Sequence, residues 1–143
     1  MSRYIFSHDE GFRELIDIKF SGCYDRTPYA KKILDNIVAA FPNRFTENEI
    51  AAKINISVKW LQHECIKAFD MTYIQLTRFI RIYYALKLFH ETNLTTKDIA
   101  AELFYSRESS LARDFRKILN ISPTNARDKL KYLSPVQILL DIA

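Results

Sequence analysis

Two segments of this 143-residue chain, about fifty residues apart, carry side chains whose types and spacing suit hydrogen bonding to base edges. In a DNA major groove, Gln can bond adenine through two atoms, whereas Lys and Arg can reach guanine or phosphate. Glu can accept from cytosine N4, and an Ala methyl group can touch a thymine methyl group. Base contacts are predicted for Lys59, Gln62, His63, Arg107, Glu108, Ser109, Ala112 and Arg113.

The two segments belong to a repeated pattern of a short apolar helix, a turn and a second, more basic helix. This pattern is typical of a helix-turn-helix, in which the second helix enters the major groove. Aligned on the leucine after the turn, the second copy has one extra residue in its turn. The first copy is Ile50-Ala51-Ala52, Ser57 and Leu61, and the second is Ile99-Ala100-Ala101, Ser106 and Leu111.

Capping residues and apolar spacing predict the helices that position the first segment. Thr46 and Glu49 form a capping box, and Ser57 can cap a helix over residues 58–69. Leucine, isoleucine and aromatic residues then give a wide apolar face that predicts a long helix over 72–91.

The second segment follows the same order. Thr95 and Asp98 form a weaker capping pair before a short helix over 96–103, and a basic helix is predicted over about 107–119. Trp60, Leu61, Leu111 and Phe115 are expected in the core. Seven or eight helices and no convincing strand predict an all-α protein.

One family pattern runs through about residues 29–128 without a gap. Its carriers are Ile50-Ala51, Ser57, Leu61, Arg81-Ile82, Ala85, Leu88-Phe89, Ile99-Ala100, Leu103, Ser106, Arg113, Phe115-Arg116-Lys117, Asn120-Ile121-Ser122-Pro123 and Arg127. At these positions the chain resembles the DNA-binding domain of the AraC/XylS family of bacterial transcription regulators. The resemblance implies a homeodomain-like fold whose two recognition helices enter successive major-groove segments, spaced by the long helix.

The resemblance also implies a domain layout and a set of phosphate contacts. Helix amino ends and the connecting helix are the expected phosphate-binding places, although Arg81 could instead bridge the two halves. Phosphate contacts are predicted for Ser57, Arg78, Arg81, Ser106, Arg116, Lys117 and Arg127. The predicted layout is an N-terminal extension over 1–27 with a short amphipathic helix near 9–20, an AraC-type domain over 28–132 and an apolar tail over 133–143, with helix-turn-helix units at about 46–69 and 95–119 and the linker helix at 72–91.

Four positions depart from the family pattern, which usually has glycine where this chain has Asn55, Asp70, Phe104 and Asn120. Asn and Asp tolerate left-handed backbone better than other non-glycine residues. A bulky residue in that conformation is strained, so we expect the turn at Phe104 either to change its geometry or to be repacked by neighbouring side chains.

Composition and charge limit the classes of function. Residues 28–132 hold 17 Lys and Arg against 11 Asp and Glu, and this net charge of +6 favours a polyanionic partner. The chain lacks a glycine-rich phosphate loop and a nucleophile motif, so an enzyme is not expected, and no cofactor is predicted. His63 and Cys65 are two residues apart on a helix and therefore on different faces, which disfavours a metal pair. Two cysteines without a disulfide framework, and no apolar run of membrane length, predict a cytoplasmic, nucleoid-associated protein.

Two functions remain open at this point. The first is a sequence-specific DNA-binding transcription regulator, an activator that contacts RNA polymerase beside its site, acting as a monomer or a dimer. The alternative is a helical protein-interaction module that has lost specific DNA binding, which Phe104 and the weak charge of the recognition helices favour. About 28 residues precede the matched domain, so the chain is either a stand-alone regulator or a fragment of something longer. The tail could cap the bundle or form a partner surface, and capping is the favoured interpretation.

Overall fold

The computed structural model describes residues 10–141, which form ten helices and no strand. The all-α prediction is therefore confirmed, with more helices than the seven or eight expected; the four-residue α2 is one that the sequence pattern does not reveal. In chain order they are α1 (Glu10–Lys19), α2 (Cys23–Arg26), α3 (Ala30–Ala40), α4 (Glu47–Lys53), α5 (Val58–Phe69), α6 (Tyr73–Glu91), α7 (Thr96–Glu102), α8 (Glu108–Leu119), α9 (Pro123–Lys129) and α10 (Pro135–Leu140).

The long helix α6 is the element against which both halves pack. It contacts α5 from the first half and α7, α8 and α9 from the second half. Buried residues lie on nearly all sides of this helix, as expected of a helix that is surrounded by other elements. The α6 helix therefore holds α5 and α8 in one arrangement.

Side-chain caps begin the helices at the residues that the sequence indicates. The Thr46 N–H donates to Glu49 Oε1 at 3.0 Å, and the Glu49 N–H donates to Thr46 Oγ1 at 3.2 Å, which completes the predicted capping box. The Asp98 N–H donates to Thr95 Oγ1 at 3.1 Å. Each cap satisfies backbone donors that have no partner within the helix.

Gly22 and the residues after it up to Thr27 read as a linker in the sequence, but the segment between α1 and α3 is not irregular. It contains α2, whose Cys23 is buried, and Thr27 is buried beside it. A helix of four residues is too short to show an apolar period, so the sequence pattern does not reveal it. Pro28 lies before α3, which begins at Ala30.

The two ends of the described chain pack together on α6. Helix α1 contacts α10, and α10 contacts α6. Val136, Ile138 and Leu139 of α10 are buried, as the capping interpretation of the tail expects. Residues 1–9 and 142–143 of the predicted extension and tail lie outside the described residues. Within residues 10–141, none of the helices combines the length and the apolar character that crossing a membrane requires.

Candidate nucleic-acid interface

The first helix-turn-helix unit consists of α4, a tight turn and α5. Asn55 lies in the turn at a φ of 64°, and its N–H donates to the Ala52 carbonyl at 3.2 Å. The next N–H, from Ile56, donates to the Ala51 carbonyl at 3.0 Å, which closes α4 with a Schellman motif. Ser57 then begins α5, and its Oγ accepts from the Trp60 N–H at 3.0 Å.

The second unit repeats that turn with different side chains. The Phe104 N–H donates to the Ala101 carbonyl at 3.1 Å, and the Tyr105 N–H donates to the Ala100 carbonyl at 2.9 Å. Phe104 has a φ of 59°, so the turn keeps the glycine-type geometry instead of adopting another one. An extra residue then precedes α8, which begins after Arg107 with no side-chain cap.

All four positions at which the family pattern has glycine adopt left-handed backbone. Asn55 and Phe104 end α4 and α7, while Asp70 and Asn120, at φ values of 54° and 59°, end α5 and α8. The Asp70 N–H donates to the Ile66 carbonyl at 2.9 Å, and the Asn120 N–H donates to the Arg116 carbonyl at 3.0 Å. The sequence comparison thus identified the backbone positions correctly, including the strained one.

The candidate base-reading residues of α5 all lie on its exposed side. Lys59, Gln62 and His63 are exposed. Gln62 Nε2 donates to Glu47 Oε2 at 2.8 Å, so the side-chain amide is oriented by α4 and must exchange this bond to reach a base.

Trp60 was expected in the core, and that prediction is wrong. Its side chain is 45% exposed, and its ring stacks on His63 with the centroids 5.2 Å apart and the planes at 19°. The neighbouring Leu61 is fully buried, so the helical rotation leaves Trp60 at the edge of the outer face. The sequence prediction placed Trp60 on the buried side of α5 because it is aromatic and lies next to the buried Leu61.

On α8 the candidate base-reading residues are also accessible. Arg107, Glu108, Ser109 and Arg113 are exposed, and Ala112 is half-buried. Leu111 and Phe115 are fully buried, as predicted, and they anchor the opposite side of the helix.

The predicted phosphate contacts separate into two groups. Ser57, Ser106, Arg116 and Lys117 are exposed, and the Arg78 side chain is 36% exposed. Arg81 is instead buried, and the half-buried Arg127 donates to a backbone carbonyl of the same molecule.

Arg81 lies at the junction between α6 and the second unit. It is 6% exposed, its Nη1 lies 3.8 Å from Asp114 Oδ2, and its guanidinium carbon lies 5.4 Å from the centre of the Tyr105 ring. The Tyr105 hydroxyl donates to Asp114 Oδ2 at 2.6 Å. Burial and this hydrogen bond raise the pKa of Tyr105, which keeps the phenol protonated. The placement favours the bridging interpretation of Arg81 over direct phosphate contact.

Arg127 ties α9 to the start of the second unit. Its Nη2 donates to the Leu94 carbonyl, and its guanidinium carbon lies 4.7 Å from the centre of the Phe89 ring. These contacts connect the segment before α7 to α6 and α9. Arg127 therefore stabilises the position of the second unit.

Asp114, Tyr105 and Arg44 are the residues at this junction that sequence reasoning missed. Arg44 precedes α4, yet its guanidinium carbon lies 4.7 Å from the centre of the Tyr105 ring in the other unit. Such contacts join residues far apart in sequence, and no local spacing indicates them.

Within residues 10–141 no group of three His, Cys, Asp or Glu side chains is placed to hold a metal ion. His63 is exposed, whereas Cys65 is fully buried, and that burial raises the pKa of the Cys65 thiol to about 12. The two side chains therefore face different surroundings, as their spacing predicts.

Comparison with known proteins gives consistent findings. Residues 50–129 match a family model described as a helix-turn-helix domain. The chain is 28% identical over 103 residues to the uncharacterized HTH-type transcriptional regulator YtdP of Bacillus subtilis. That match covers 69% of this chain but only 13% of the length of YtdP.

Solved structures share the fold at low sequence identity. The C-terminal domain of AraT, a response regulator from Geobacillus stearothermophilus, has a TM-score of 0.67 at 23% identity, covering 73% of this chain and 87% of that one. The DNA-binding domain of AdpA, solved with a target DNA, has a TM-score of 0.65 at 16% identity, covering 71% and 91%. A DNA-binding transcriptional dual regulator from Escherichia coli K-12 has a TM-score of 0.62 at 20% identity, covering the same shares.

Proposed function

This chain belongs to the AraC-type helix-turn-helix family, a family of DNA-binding transcription regulators rather than enzymes, and on that premise we propose that it reads double-stranded DNA with α5 and α8. The observation that carries the proposal is the pair of matching turns that present α5 and α8 on a shared support, α6. Each helix buries one side in the core and leaves the other side exposed. An α-helix with one free side is the element that enters a major groove.

The proposed base contacts come from both helices. Arg113 is the proposed guanine contact, and Trp60 adds an apolar surface suited to a thymine methyl group. The full set is Lys59, Trp60, Gln62 and His63 from α5, with Arg107, Glu108, Ser109, Ala112 and Arg113 from α8 and its amino end.

The proposed phosphate contacts are the exposed members of the predicted set. They position the protein on the duplex without reading its sequence. They are Ser57, Arg78, Ser106, Arg116 and Lys117, whereas Arg81 and Arg127 are assigned to internal support.

We also propose how the protein regulates transcription. The protein acts as an activator in the cytoplasm, bound to the nucleoid, and contacts RNA polymerase beside its site. A run-off transcription assay with purified polymerase tests the sign: added protein raises transcript from a promoter that carries its site. A fall in transcript on the same template would make the protein a repressor.

One of the two arguments for the alternative, an interaction module without DNA binding, no longer applies. It was favoured by Phe104, but the turn at Phe104 makes the same two backbone hydrogen bonds as the turn at Asn55. The presentation of α8 is therefore not disturbed by that residue.

The test of DNA binding is a selection of bound fragments followed by a mobility-shift assay. We expect a specific site whose affinity falls with salt, because Lys and Arg on phosphates release counterions. The Arg113→Ala variant should bind the site more weakly, while Arg13→Ala, a matched loss of charge on α1 away from both recognition helices, should bind as the wild type does. The absence of any specifically bound fragment at low salt would refute the proposal.

A further inference from the structure

A cavity of about 190 Å³ lies where the two helix-turn-helix units meet α6. One wall comes from Arg44, before α4, and a second from Arg78 and Arg81 of α6. The third wall comes from the second unit, through Tyr105, Ser106, Ser110, Arg113, Asp114 and Lys117.

The charges that line this cavity are unbalanced. Among its described lining residues there is one carboxylate, Asp114, against the five cations Arg44, Arg78, Arg81, Arg113 and Lys117. Like charges in a partly enclosed site repel one another, so this arrangement favours a negative partner.

Asp114 supplies a single negative charge, which offsets only one of the five cations. Its Oδ2 accepts from the Tyr105 hydroxyl at 2.6 Å and lies 3.8 Å from Arg81 Nη1. Its Oδ1 lies 3.7 Å from Arg78 Nε, and the Asp114 side chain is only 11% exposed. The carboxylate is thus held by Tyr105, Arg78 and Arg81, and the remaining positive charge of the cavity has no counter-charge among the described lining residues.

A buried donor at the same place lacks an acceptor. Arg81 is 6% exposed, and its Nε is buried with no hydrogen-bond partner. Buried N–H groups are almost always paired in folded proteins. Partial burial of the Arg44 guanidinium and the nearby Arg81 charge also lower its pKa, a sign that the cations are crowded.

We propose that this cavity binds a phosphate-type oxyanion, with Arg44, Arg78 and Lys117 as its main donors. Guanidinium groups match the geometry of phosphate oxygens, and Ser106 and Ser110 add hydroxyl donors at the rim. The donors come from both units and from α6, so a bound anion ties the two reading helices together. The oxyanion is either a phosphodiester of bound DNA or a free phosphate, and the DNA source alone rests on the proposed function.

The first experiment uses the whole chain without DNA. Inorganic phosphate is titrated at constant ionic strength against chloride, and arginine side-chain N–H resonances are followed by NMR. We expect saturable binding that Arg44→Gln and Lys117→Gln each weaken about tenfold, the loss expected for one charged hydrogen bond. Arg44→Lys, which keeps the charge, should lose less, and Arg13→Gln, a matched change outside the cavity, should bind like the wild type. Arg44 and Lys117 are exposed, so circular dichroism is expected to show both variants folded.

The second experiment uses duplexes in which single phosphates are replaced by neutral methylphosphonates. If a DNA phosphate occupies the cavity, one replacement abolishes the affinity difference between wild type and Arg44→Gln. If that difference persists with every replacement while inorganic phosphate still saturates, the free anion is the ligand.

The proposal is overturned if inorganic phosphate does not saturate and Arg44→Gln behaves like Arg13→Gln on every duplex. A chain that binds no specific duplex but still saturates with phosphate would refute the proposed function and leave the cavity assignment standing.

Discussion

The turn after α4 and the turn after α7 make the same two backbone hydrogen bonds, yet the helices that follow them present different surfaces. The exposed side of α5 carries the stacked pair Trp60 and His63, whereas that of α8 carries Arg113 and further basic residues. The backbone fixes where each helix lies, and the side chains decide what it can bind. The first unit thus adds an aromatic surface to its base contacts, and the second adds more positive charge.

The difference continues on the buried side. Glu64 and Asp114 each lie three residues after the buried leucine of their helix, and both are buried. Asp114 has Tyr105, Arg78 and Arg81 as partners, whereas Glu64 Oε2 has no hydrogen-bond partner. The same position therefore connects the second unit to α6, whereas in the first unit it leaves one carboxylate oxygen without a partner.

The largest expected effect is the contrast between substitutions of the two buried acids, Asp114 and Glu64. Asp114→Ala removes the partner of buried Arg81, and losing one member of a buried ion pair costs about 3–5 kcal/mol of unfolding free energy. Glu64→Leu, the matched change in α5, should be near neutral because it removes a buried carboxylate oxygen without a partner. Urea unfolding of both variants measures this, and equal losses would mean that the two acids play the same role.

The next effect concerns base reading. Arg113→Ala should weaken specific binding by roughly 1–3 kcal/mol and relax the choice of base at one position. His63→Ala, at the equivalent position of α5, should lose less. Binding is measured on the selected site and on its single-base variants. Equal losses on specific and random DNA would contradict base reading by Arg113.

A smaller effect tests the aromatic surface of the first unit. Trp60→Ala should weaken specific binding by roughly 1–2 kcal/mol, the value of burying the exposed part of an indole. The unfolding free energy should fall by a similar amount, roughly 1–2 kcal/mol, because the other half of the ring is already buried against the protein. A large loss of stability with unchanged DNA affinity would return Trp60 to the core.

The smallest effect compares the two turns. Phe104→Gly should raise the unfolding free energy by about 1 kcal/mol, because a bulky residue is strained at a φ of 59°. Asn55→Gly should raise it by less, since Asn tolerates this conformation. Thermal unfolding of both variants gives the comparison, and destabilisation by Phe104→Gly would show that packing of the ring outweighs the backbone strain.

Residue types and their local spacing were enough to predict much of the two helix-turn-helix units. The helix over residues 58–69 coincides with α5, and the predicted caps at Thr46, Ser57 and Thr95 are present. The four glycine-type turn positions were also found from sequence, because capping and left-handed backbone depend on residues a few positions apart. The wrong predictions concern α2 and Trp60. Helix α2 has too few residues to show an apolar period, and Trp60 lies at the edge of the buried face of its helix.

By itself the sequence determined most of the helices and the repeated unit, since these follow from local spacing and residue type. Only the tertiary structure decided that Arg81 is buried on Asp114 and that Arg44 reaches Tyr105 from the other unit. It also decided that α1 and α10 pack together on α6. Such contacts join residues dozens of positions apart, and their partners are selected by packing around α6, which no local periodicity encodes.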